Sequence, residues 1–166
     1  MKHKKILSAG IIVFFALSIA MIIWLTILSR PSGTYRHSYP PFWSYKEIVN
    51  GNRRILMEDI GNVLLFIPFG MAVALLSGLR TGKAICLGLI FSLLIECCQW
   101  FFRLGSFEID DLLHNTVGTG IGSAFINQTV FGELLSPKDR RKSLIAVIAL
   151  VFMIVMAILG YKIVRR

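Results

Sequence analysis

The sequence predicts an all-α integral membrane protein, a bundle of about five transmembrane helices with one longer extramembrane loop over residues 29–59. Three observations predict it. Hydrophobic residues make up 55% of the 166 residues and charged ones only 16%, where a soluble domain carries about 25%. Mean hydropathy is +0.71, which leaves too little polar surface to cover a globule. Five apolar windows also reach the length a spanning helix needs, about 20 residues across ~30 Å of hydrocarbon.

The windows are residues 6–28, 60–79, 84–102, 112–131 and 143–161 of a single membrane domain, 1–166. The first follows Lys2, Lys4 and Lys5, as a signal peptide would. It is longer than the h-region of about 7–15 residues, and no small-residue cleavage site follows. An uncleaved span is the better reading. The second and third windows are joined through Arg80, Gly82 and Lys83, so they form a tight antiparallel hairpin. The first and last read as plain anchors.

The formal net charge is +9. The basic residues sit at the ends of the apolar runs, at Arg53 and Arg54, Arg80 and Lys83, residues 138–142, and Arg165 and Arg166. That placement suits anchoring at anionic headgroups. Nucleic acid is excluded as a partner, because no basic module lies outside the spans. The expected surroundings are a bacterial plasma membrane crossed several times. The Lys and Arg tally over the whole chain is even between the two sides. The first span and the cluster at 138–142 place the amino terminus in the cytoplasm, while the basic tail Lys162–Arg166 argues the other way.

In the loop, Pro31, Pro40 and Pro41 prevent a long helix before Phe42. Tyr35, Tyr39, Phe42, Trp43 and Tyr45 suit the headgroup zone. A short interfacial helix is expected over about Trp43–Val49. Cys86, Cys97 and Cys98 all fall in apolar runs and read as small packing residues rather than a disulfide framework.

Polar residues inside spans cost about 2.5–3.5 kcal/mol when ionisable and normally face the bundle interior. Here they are Asn62, Glu96, Gln99, Asp111 and Asn115, with Glu108, Asp110 and His114 as secondary candidates. Glu96 lies six residues before the end of its window, about 9 Å from the membrane face at 1.5 Å per residue. Gln99 is three residues on, and Asp111 and Asn115 are four apart, so each pair shares a helix face. Because neighbouring spans alternate in direction, all five fall in the same half of the membrane, the outer half if the amino terminus is inside. One polar pocket is expected, with Asn115 meeting Glu96. The alternative is that these groups only link helices by hydrogen bonds, with Asp110 and Asp111 capping their own helix.

Gly118 and Gly122 have the GxxxG spacing that lets helices approach closely. Pro68 removes a backbone donor and is expected to kink the second span, beside Gly70. No G-x-S-x-G, HExxH or P-loop is present. Glu96, Glu108, Asp111 and His114 could hold a metal, but one histidine among scattered carboxylates is weak support. No metal and no cofactor are expected, and no catalytic residue is assigned.

The run Asn62-Val-Leu-Leu-Phe-Ile-Pro-Phe-Gly70, the pair Glu96 and Gln99, and Phe107-Glu-Ile-Asp-Asp-Leu-Leu-His-Asn-Thr-Val-Gly118 resemble the VanZ-like membrane protein family. Pro41 and Phe42 resemble its loop, and the likeness marks a core of about 41–132. Glu108 stands where the family pattern has aspartate, and Asp110 and His114 fall outside that pattern. The family's name-giving member is associated with teicoplanin resistance in Gram-positive bacteria. The resemblance implies a link to that resistance and no reaction, while the outward polar pocket and the aromatic loop lead us to expect a non-enzymatic cell-envelope protein that binds a lipid-linked precursor or a glycopeptide. A membrane-embedded enzyme using Glu96 or Asp111 as general base, and a small ion- or proton-coupled carrier, are the alternatives.

Overall fold

The structure is a computed structural model that describes residues 2–30 and 39–129. Among the described residues every extended element is a helix. α1 covers Lys2–Ile23 and continues as a π-helical turn, Trp24–Leu28. α2 is Trp43–Val49, α3 Arg53–Ser77, α4 Thr81–Phe101 and α5 Ile109–Asn127. Three of the described stretches are long and apolar enough to span a bilayer: Ala9–Leu28, Arg53–Ser77 and Thr81–Phe101. α5 has 19 residues, but Asp110, Asp111, His114 and Asn115 lower its apolarity. The expected fifth span, 143–161, and the basic cluster before it lie outside the described residues.

The helix ends follow local chemistry. The Asn52 side chain caps α3, accepting from the Ile55 amide at 3.4 Å. α3 therefore starts at Arg53, and Arg53–Asp59, expected in the loop, form its first turns. Gly78 ends α3 at φ 64, the left-handed C-cap geometry that glycine adopts without strain. Residues 78–80 then turn the chain into α4. Asn127, at the far end of α5, ties this turn by donating to the Leu79 carbonyl and the Thr81 hydroxyl, both at 3.1 Å.

α5 packs chiefly against α3 and then α4, and α1 also packs on α3. The α3–α5 approach is backbone to backbone. A methyl group on Gly118 would overlap the Val63 carbonyl, one on Gly122 the Ile67 carbonyl, and one on Gly70 the Thr119 backbone. A ladder of rings crosses the centre: Phe15 of α1 stacks on Phe69 of α3 at 5.8 Å, and Phe69 on Phe91 of α4 at 4.8 Å. Large apolar side chains also face outward, among them Ile90, Leu94 and Phe125. In water such a surface is a liability, whereas in lipid it is the natural exterior.

Candidate functional site

The end of α1, the start of α3, the end of α4 and the start of α5 meet at one end of the bundle, opposite the α3–α4 turn. The polar side chains of these segments find one another there. Asn62 donates from Nδ2 to Asp111 Oδ1 at 2.8 Å. Glu96 Oε2 accepts the Glu108 backbone amide at 3.0 Å, which holds the 102–108 connection over the end of α4. Gln99 donates to the Thr26 carbonyl at 2.9 Å. Thr26 lies in the π-helical turn that ends α1.

Asn115 donates to the Ser92 hydroxyl at 2.9 Å. Ser92 is one turn before Glu96, so Asn115 bonds Ser92 rather than Glu96. Of the five principal residues, only Asn62 and Asp111 bond each other. Glu96, Gln99 and Asn115 are each 3% exposed or less and link helices internally.

The secondary candidates divide differently. Asp110 accepts from the Phe42 amide at 2.7 Å and the Ser44 amide at 2.9 Å, one carboxylate oxygen each. It thereby caps α2, a helix more than sixty residues away in sequence, rather than its own helix. Phe42 holds φ 65 to make this turn. Glu108 precedes α5 and makes no side-chain cap. Burial, then the neighbouring Asp111 carboxylate, pushes its carboxyl up to about 7, against the pull of Arg30. His114 meets the Tyr45 hydroxyl through Nε2 at 3.1 Å, and its Nδ1 lies 3.6 Å from Asp59 Oδ1. Burial, with the Asp110 and Asp59 charges, raises the Tyr45 phenol above its ordinary value, so it stays protonated.

A cleft of about 1040 Å³ opens between α1 and α3 at this end. Its polar mouth holds Arg30, Glu58, Asp59, Asn62, Glu108 and Asp111. Its walls are apolar, with Phe14, Leu17 and Met21 from α1 facing Leu64, Leu65 and Pro68 from α3. Asp59, Arg30 and Tyr45 are functional candidates that sequence reasoning missed. Asp59 carried a signal: it stands three residues before Asn62, on one helical face with it.

A family model described as VanZ/LLP1 matches residues 11–132. The chain belongs to the VanZ/LLP1 family. The VanZ/LLP1 match reaches back into α1, ahead of the 41–132 core that the motifs mark, and so takes in both walls of the cleft. Protein VanZ of Enterococcus faecium is 29% identical over 127 residues, covering 71% of this chain and 72% of that relative. No solved structure matches the chain.

Proposed function

We propose that this protein binds a lipid-linked precursor of the bacterial envelope, or a glycopeptide, in the α1–α3 cleft, and through it contributes to teicoplanin-type resistance. The observation that carries the reading is the amphipathic character of the cleft. Arg30 at the charged mouth suits a phosphate or carboxylate head, and the walls from Phe14 to Pro68 suit an acyl chain. That division favours a lipid-linked ligand over a wholly polar one. With the amino terminus in the cytoplasm, the mouth faces the outside of the plasma membrane, where envelope precursors are polymerised. The likeness to Protein VanZ supports the link to glycopeptides.

The test is teicoplanin susceptibility of a host carrying the wild-type gene, an Asp111→Asn variant or no gene, with membrane levels of the protein measured in each. Resistance is expected with the wild type and a return to the gene-free level with the variant at equal abundance. Equal susceptibility with and without the wild-type protein overturns the reading.

One observation favours a second reading, catalysis on the same ligand. Glu108 lines the cleft with its carboxyl at about 7, where a general acid or base works best at neutral pH. Glu96 is enclosed by the Glu108 amide and does not line the cleft, so the role would fall to Glu108 or Asp111. Purified protein incubated with lipid-linked precursors distinguishes the two readings, since catalysis releases product and binding does not.

A further inference from the structure

Asp59, Asp111 and His114 come from two helices, yet one ligand-type atom of each lies within 4.8 Å of the others. Two of these residues are more than nine-tenths buried, Asp59 at 7% exposed and His114 at 9%. The Ser44 hydroxyl lies against the Asp59 carboxylate, but His114 Nδ1 has no hydrogen-bond partner. Buried polar atoms are almost always satisfied, so a buried imidazole nitrogen left unpaired beside two carboxylates indicates a missing partner. The 3.6 Å from Nδ1 to Asp59 Oδ1 is too long for a charge-assisted hydrogen bond, which closes to about 2.7–2.9 Å. It does match the spacing of two ligands on one ion at metal–ligand distances of about 2.0–2.2 Å.

Two further atoms of these side chains are already held. Tyr45 takes His114 Nε2, and Asn62 takes Asp111 Oδ1. If Nε2 carries the imidazole proton and donates to the phenol oxygen, the Nδ1 lone pair points at the carboxylates. This is how outer-shell groups orient metal ligands. The charge balance agrees. Around this point stand Glu58, Asp59, Glu108, Asp110 and Asp111. Among the described residues, Arg30 is the one cationic side chain lining the mouth apart from Arg54, which is paired with Glu58 at 2.9 Å. Uncompensated acids at a buried site are costly, and a dipositive ion relieves that cost.

We propose that Asp59, Asp111 and His114 hold one divalent cation at the mouth of the cleft. Two carboxylate oxygens and one imidazole nitrogen are donors shared by the zinc and manganese class rather than by magnesium or calcium, which favour oxygen alone. Asp59 and Asp111 both line the cleft, which supplies a path for the ion and leaves coordination positions facing the ligand space. The cation site stands on its own geometry. Only the idea that the ion meets a phosphate or carboxylate of the ligand rests on the function proposed above.

The test uses the full chain without an affinity tag, purified in detergent, stripped with chelator and titrated with Mn²⁺ or Zn²⁺ alone. One ion per chain is expected, together with a rise in the thermal unfolding midpoint. Asp59→Asn and His114→Gln are each expected to weaken binding at least about tenfold, and the outer-shell change Tyr45→Phe by about tenfold. Glu47→Gln on the surface of α2 leaves binding unchanged. Bound Mn²⁺ is also expected to show nitrogen modulation in pulsed EPR, retained when the other two histidines, His3 and His37, are replaced. That measurement needs no variant at the site itself. Binding well below one ion per chain, equal affinity in all variants, or bound Mn²⁺ without nitrogen modulation each overturns the proposal. Because the readout is ion binding and not susceptibility, it separates failure here from failure of the ligand reading.

Discussion

At Glu108 the carboxyl group is held protonated to about neutral pH by burial and by Asp111, with Glu58 and Asp110 adding to the effect and Arg30 opposing it. The sign of the consequence follows from linkage. The folded value lies above the ordinary 4.5, so the folded state favours the protonated acid. The stabilisation is complete below about 4.5 and is lost as pH rises through about 7. In chelator, the unfolding midpoint of the wild type is expected to fall across that window, and Glu108→Gln to flatten the fall. Parallel curves for the two proteins would remove Glu108 as a source of the pH dependence. The same scale explains what residue spacing conveys. It gives depth along a helix but not which neighbour the side chain meets, so Asn115 finds Ser92 and not Glu96, and Asp110 turns out to serve α2. Asp59 stayed hidden because it was counted with the loop, when Asn52 caps the helix seven residues earlier.

Between elements, the decisive contact is α5 on α3, where missing side chains matter more than present ones. Gly122→Ala places a methyl against the Ile67 carbonyl and is expected to cost about 1–3 kcal/mol, the range for overpacking a tight contact. Gly61→Ala in α3 meets open space within 4 Å, so it is expected to cost nothing and serves as the control. Thermal unfolding of both variants in detergent checks this, and an equal loss in both would refute the close approach as its cause. α2 was legible as Trp43–Val49 because the prolines before Phe42 precede a short aromatic-rich segment. Its anchor was not legible, since Asp110 lies too far along the chain for any local pattern to connect them.

For the whole molecule, long apolar runs made the helical membrane character plain, because a backbone in hydrocarbon has few ways to satisfy its hydrogen bonds other than a helix. Sidedness is a different matter, since the charges that set it are divided evenly. Val49 is 86% exposed at the end of α2 and reports it directly. A Val49→Cys variant, with Cys86, Cys97 and Cys98 replaced by alanine, is expected to react with an impermeant maleimide on intact cells. Reaction only after lysis would place the cleft on the cytoplasmic side. The clamp on α2 also has a consequence for the order of assembly. A seven-residue helix is not stable alone, and the carboxylate that starts it lies 66 to 68 residues downstream. A segment synthesised early is therefore completed late: α2 waits for the beginning of α5, and the rim of the cleft closes only when that part of the nascent chain has arrived.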